Sequence, residues 1–164
     1  PVVGGGGDQA AGGVGNGIVQ AGIVSSTIGT SGVVFAFSEK PVRDAKGRVH
    51  TFCHAVPGKW HMMGVTQGAG LSLRWLRDNF GNVEMQTAIL TGGDSYDLLS
   101  KEAERAPAGS EGLIWLPYLM GERTPHLDPN AKGVLFGVTG RHQRFHVVRA
   151  VLEGVAAEPP GAAS

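Results

Sequence analysis

The chain has 164 residues, the length of one ordinary domain or of part of a larger protein. Its 14 Lys and Arg balance 14 Asp and Glu, with 41% hydrophobic residues, so it is neither a polyelectrolyte made for nucleic acid or anionic lipid nor a disordered chain. Cys53 is the one cysteine, which excludes an internal disulfide and a cysteine-based zinc cluster and suits a reducing cytoplasm. No apolar run approaches the roughly 18 residues of a membrane span, and the first residues lack the basic start and apolar stretch of a signal peptide. The expectation is a cytoplasmic protein with neither membrane nor nucleic acid as partner. It opens on Pro1 rather than Met, on residues that already read as a strand entering a turn, as a piece of a longer chain would.

Glycine is the outlier, at 27 residues, of which eleven lie in the first 32 positions. The residues between them are apolar and follow no collagen period. A folded segment with this much glycine needs tight turns, positive φ or close approach of its backbone to another group.

In chain order, Val2-Val3 reads as a strand end, Gly4–Gly7 as a sharp turn, and Asp8–Gln20 as a helix, because Ala10, Ala11, Val14, Ile18 and Val19 recur at helical spacing. Ile23–Ile28 and Val33–Phe37 are β-branched and aromatic runs joined by Gly29-Thr30-Ser31-Gly32, a hairpin signal with a polar tip. A second hairpin is predicted across Asp44-Ala45-Lys46-Gly47. A third, across Pro57-Gly58, links Val49–Val56 to Trp60–Thr66. From Gly70 the period becomes helical, with Leu71, Trp75, Leu76 and Phe80 on one face and Gly81 as the stop. Ser95–Arg105 reads as a short amphipathic helix and Leu113–Leu116 as a strand. Gly121–Gly133 reads as a long irregular loop, and such loops are commonly functional. The last helix is predicted over His146–Ala156, stopped by Pro159-Pro160-Gly161.

Two segments carry chemistry. Backbone amides of a strand–GGGG–Asp–helix turn, with a helix start behind them, favour an anion such as phosphate. Asp8 beside that group could accept a hydroxyl proton as general base, although Asp is also a favoured N-cap, and spacing alone leaves both roles open. Gly29-Thr30-Ser31-Gly32 can aim N–H and O–H donors at phosphoryl oxygens, and hairpin tips also carry these residues for purely conformational reasons. Gly5-Gly6-Gly7-Asp8-Gln9-Ala10 satisfies a degenerate dinucleotide fingerprint, but the ribose-binding acid expected about 20 residues later is missing, since no Asp or Glu lies between Asp8 and Glu39. A P-loop is absent, because Gly58-Lys59 is followed by Trp60. Cys53, in an alternating strand run, is expected in the core, as are Trp60, Trp75 and Trp115. The six histidines show no metal-ligand spacing, and no metal site is expected in the chain.

These motifs resemble the FGGY carbohydrate kinases. The resemblance runs from Val2–Gly12 through Ser26–Val33, Phe52–Ala55, Leu116–Leu119 and Gly121–His126 to Gly133–Val138 and His146–Glu153, about residues 1 to 156. It implies an α/β fold that is part of a ribonuclease H-like, actin-like ATPase domain, a mixed sheet with hairpins and flanking helices. The chain is similar to the first part of the second of two such domains, which close over sugar and ATP. The resemblance further implies that Asp8 is the catalytic base, that Asp8 and Gln9 contact the sugar, and that Gly29, Thr30, Ser31 and Gly32 bind the ATP phosphates. ATP with Mg²⁺ is the implied cosubstrate. The implied acceptor is a small-molecule sugar, D-xylulose giving D-xylulose 5-phosphate, and a homodimer is an admissible assembly. The first domain and a later glycine-rich adenine stretch are missing. Residues 157–164 depart from the family pattern and are expected to be a disordered tail. A remnant of the fold without catalytic activity is the other reading, and a dinucleotide-binding domain a weaker one.

Overall fold

The computed structural model describes residues 5–157. The expected strand at Val2-Val3 and all of the expected tail beyond Ala157 lie outside them. Helix α1 is Asp8–Gly15, followed by strands β1 (Val24–Ile28), β2 (Gly32–Ser38), β3 (His50–Cys53) and β4 (Trp60–Thr66). Helices α2 (Ala69–Phe80), α3 (Asn82–Thr91) and α4 (Ser95–Ala103) come next, then strands β5 (Ile114–Leu116) and β6 (Val134–Phe136) and helix α5 (Arg144–Ala157).

The four strands β1 to β4 form one sheet in the order β1-β2-β4-β3, and β5 and β6 pair separately. All these ladders are antiparallel, so of the mixed sheet expected, the described strands supply the antiparallel part. In the first hairpin Ile28 lies opposite Gly32, which leaves Gly29, Thr30 and Ser31 as its tip. β2 then runs the length of β4, from Gly32 opposite Thr66 to Ser38 opposite Trp60.

Several elements differ from the sequence reading. The helix predicted over Asp8–Gln20 stops at Gly15, because Asn16 caps it and Gly17 takes a left-handed φ of 71°. No hairpin forms across Asp44–Gly47: the Asp44 carboxylate accepts from the Lys46 and Arg48 amides and closes a local turn, and β2 pairs with β4 instead. Helix α3, placed between the Gly81 stop and Gly92 in the left-handed region, has no counterpart in that reading. Its polar and apolar residues do not sort onto faces, and Val83, Ile89 and Leu90 are exposed. Cys53 is exposed rather than in the core, since it ends β3 at the sheet edge.

The main core joins α2, α4, β5 and α5 through Leu76, Leu99, Ala103, Leu113, Trp115, Val148, Ala150 and Val151. Trp75 stacks on Trp115 with ring centroids 5.4 Å apart. Trp60 is half-buried. A second cluster of Ile18, Phe35 and Phe37 holds the segment after α1 against β2. Among the described residues no helix is long and apolar enough to cross a membrane.

Candidate functional site

The tip of the β1–β2 hairpin is held from behind by the first turn of α2. The Gly70 amide donates to the Gly29 carbonyl at 2.8 Å and the Leu71 amide to the Thr30 carbonyl at 3.1 Å. These are N–H groups that a helix start leaves without intrahelical partners, so here the helix uses them to orient the hairpin. The approach is close enough to need glycine: a Cβ on Gly70 would lie 2.4 Å from the Gly29 oxygen. With its carbonyls tied back, the tip keeps Thr30 on the exposed side, and no hydrogen bond among the described residues takes up the Thr30 or Ser31 amide.

Arg74, one turn further along α2, brings its Nη2 to 3.5 Å from the Thr30 hydroxyl. It is exposed and makes no ion pair among the described residues. The Thr30 and Ser31 amides, the Thr30 hydroxyl and the Arg74 guanidinium therefore lie at one tip, a set suited to phosphoryl oxygens. The sequence reading missed Arg74. Its signal was available only as a basic residue on the polar face of a helix, where a solvated charge is the ordinary explanation.

Asp8 stands at the first position of α1 and is exposed. The residue in the capping position is Gly7, which has no side chain to cap with, and the Asp8 carboxylate accepts from the neighbouring Gln9 amide at 2.8 Å. The plain N-cap reading therefore loses its geometry. Packing among the described residues does not explain Gly5 or Gly7 either, since a Cβ on each would meet nothing within 4 Å and neither has a positive φ. No hydrogen bond or ion pair among the described residues joins Asp8 or Gln9 to the hairpin tip. The two segments share β2 as their support: its first residue closes the hairpin, and its Phe35 packs with Ile18 just beyond α1.

The loop after β5 contributes structure at the other side of the hairpin's support. The Thr124 amide donates to the Val65 carbonyl at 3.0 Å, and the Val65 amide to the Thr124 hydroxyl at 3.2 Å, which ties the loop to β4 beyond the His50 end of β3. Among the described residues no group of three His, Cys, Asp or Glu comes together to hold a metal ion. His54 and His61 are buried against Phe35 as core aromatics, with desolvation pushing the His61 imidazole below its ordinary value.

An antiparallel sheet with hairpins and flanking helices is consistent with part of a ribonuclease H-like, actin-like domain. Among the described residues all strand ladders are antiparallel, and none supplies the parallel βαβ unit that a dinucleotide fingerprint requires. The description "FGGY family of carbohydrate kinases, C-terminal domain" matches residues 24–158, and the chain belongs to this family. It is 46% identical over 155 residues to the xylulose kinase of Escherichia coli (strain K12), covering 94% of this chain and 30% of that protein. It is 42% identical over 156 residues to the gluconokinase of Bacillus subtilis (strain 168), with coverage of 94% and 30%. The crystal structure of xylulose kinase from Rhodospirillum rubrum superposes with a TM-score of 0.76 at 32% identity, covering 91% of this chain and 28% of that one. The chain thus spans about 30% of the length of the curated relatives it matches.

Proposed function

We propose that the chain is part of the C-terminal domain of a sugar kinase that transfers the γ-phosphoryl group of ATP to D-xylulose, giving D-xylulose 5-phosphate. Residues 1–156 are the part of that domain which supplies the base and one side of the phosphate clamp. The observation that carries this reading is the hairpin tip Gly29–Gly32, tied back through its carbonyls to α2 and joined by Arg74.

In this reading a sugar hydroxyl oxygen attacks the γ-phosphorus, its proton passes to an Asp8 carboxylate oxygen, and the bond to the β-phosphate oxygen breaks to release ADP. The hairpin and Arg74 hold the phosphoryl oxygens in line and meet the charge that develops on them. Gln9, beside Asp8, contacts the sugar. Mg²⁺ keeps several waters and binds largely through substrate phosphates, and Asp8 is the carboxylate that would help to hold it. When present it neutralises charge on the phosphate chain. In this reading the kinase works in the cytoplasm, where ATP and phosphorylated sugars are handled.

The test is made on the full-length parent, by coupled ADP release with a panel that includes D-xylulose and D-gluconate. We expect D-xylulose to give the highest kcat/KM, and preference for gluconate would overturn the assignment of the acceptor. Asp8→Asn is expected to lower kcat by about two to four orders of magnitude with little change in sugar KM, as for loss of a general base. Near-normal turnover in that variant would remove Asp8 from the chemistry.

A further inference from the structure

Glu122 is a carboxylate that nothing in the proposed reaction uses, yet it is 3% exposed. Its Oε1 accepts from the Gln67 amide at 3.0 Å and from the Arg123 amide at 2.6 Å. Its Oε2 is buried without a hydrogen-bond partner. Its own amide donates to the Asp128 carbonyl at 2.8 Å, which ties the loop back on itself. Burying a carboxylate with one oxygen unpaired costs free energy, and desolvation pushes the Glu122 carboxyl above its ordinary range. Such a group is retained for what its bonded oxygen does.

That oxygen holds Gln67, the first of the two residues between the end of β4 and the start of α2. The next residue, Gly68, is pressed against the same loop, where a Cβ would lie 1.8 Å from the Pro117 carbonyl oxygen. Two residues further on, Gly70 and Leu71 donate to the Gly29 and Thr30 carbonyls. A contact at Gln67 therefore fixes the direction in which α2 leaves the sheet. The direction of α2 in turn fixes both the hairpin tip and the helix face that carries Arg74.

We propose that Glu122 is a positioning residue for the nucleotide side of the reaction: through the Gln67 amide it sets the β4–α2 junction and so aims the Gly29–Gly32 tip and Arg74. This rests on the phosphate-binding reading of the hairpin. What the role requires is an acceptor at the reach of Oε1; it does not require a negative charge. Ser72, whose hydroxyl bonds the Gly68 carbonyl, and Thr124, bonded to Val65, hold the same junction from its two sides.

The test compares three variants of the full-length parent kinase. Glu122→Ala removes the acceptor, Glu122→Asp keeps the charge and withdraws the acceptor by one methylene, and Glu122→Gln keeps an acceptor at full reach without charge. We expect Ala and Asp to raise the KM for ATP about tenfold or more while the sugar KM stays within about twofold, and Gln to restore the ATP KM. A role confined to stability would lower the active fraction, and hence apparent kcat, without moving either KM, and that result overturns the proposal. A Gln variant as impaired as Asp, or an Asp variant like wild type, overturns it as well. If Ala fails to fold, the Asp and Gln pair decides alone. Asp8→Asn, assayed alongside, reports on the kinase reading separately: its full activity with a Glu122 effect on ATP KM would sink the assigned base and leave the positioning role standing.

Discussion

Thr30 shows how one hydroxyl can be assigned a task. It is exposed at the hairpin tip, its carbonyl is taken by the Leu71 amide, and its hydroxyl lies 3.5 Å from the Arg74 guanidinium. Thr30→Val keeps the β-branched shape and deletes the donor. In the parent enzyme we expect a several-fold rise in the KM for ATP and a fall in kcat, with the sugar KM unchanged. Unaltered nucleotide kinetics would refute the phosphate role of this hydroxyl. The residue types at the tip were legible in the sequence, because glycines and hydroxyls between two β-branched runs announce a polar hairpin. Arg74 was not legible, since its meaning comes from a contact made across 44 positions of chain.

Among the elements, α2 is the one on which the site depends, and its seam with the hairpin has no room to spare. Gly70→Ala would place a methyl 2.4 Å from the Gly29 carbonyl oxygen. Neither a helix start nor a bonded hairpin tip can yield by that much without shifting, so the tip must move. We expect the KM for ATP to rise about tenfold, equivalent to about 1.4 kcal/mol, with sugar binding preserved. Kinetics like those of the wild type would show that the seam relaxes at no functional cost.

Helices α3, α4 and α5 are joined by one guanidinium. Arg144 donates from Nη1 and Nη2 to the two oxygens of Glu84 at 2.8 and 2.7 Å, and from Nη1 to Glu102 at 2.8 Å. The fork holds the Glu84 carboxyl below its ordinary value, whereas at Glu102 burial outweighs the single contact and pushes the carboxyl up. The contribution of Glu84 is therefore fully present above the ordinary glutamate pKa and is lost as pH falls through its lowered folded value. Because Arg144 is partly exposed, Arg144→Ala is expected to cost about 1–2 kcal/mol at neutral pH, a drop in Tm of a few degrees. Thermal unfolding at pH 7 and again near pH 3 checks this, since the gap between variant and wild type should narrow in acid. A constant gap would mean that Arg144 acts by packing alone.

For the whole molecule, coverage sets the expectation. A chain spanning about 30% of its curated relatives carries the proposed base and one side of a phosphate clamp. We expect the 164-residue chain, assayed by itself, to show no useful phosphorylation of D-xylulose and only weak ATP affinity by calorimetry, because alignment of both substrates supplies a large part of the barrier reduction. Turnover near the roughly 10 s⁻¹ typical of enzymes would show that the chain holds a complete site.

The sequence determined the elements whose cause is local. The β1–β2 hairpin, β4, the Ala69–Phe80 helix with its Gly81 stop and the final helix follow from β-branched runs, turn residues and apolar period, and the FGGY resemblance followed from motifs along the same runs. What only the tertiary structure decided is what depends on partners distant in the chain. β2 pairs with β4 across the segment where a hairpin was expected, because the Asp44 turn satisfies itself locally and leaves the longer strand to complete the sheet. α3 forms without a period of its own, held at Glu84 by Arg144, 60 positions away. Cys53 is exposed because an alternating pattern fixes which residues share a face, while only the strand order decides that β3 is an edge. Glu122 becomes meaningful for the same reason: a glutamate in a loop reads as a solvated charge until the fold buries it against the Gln67 amide.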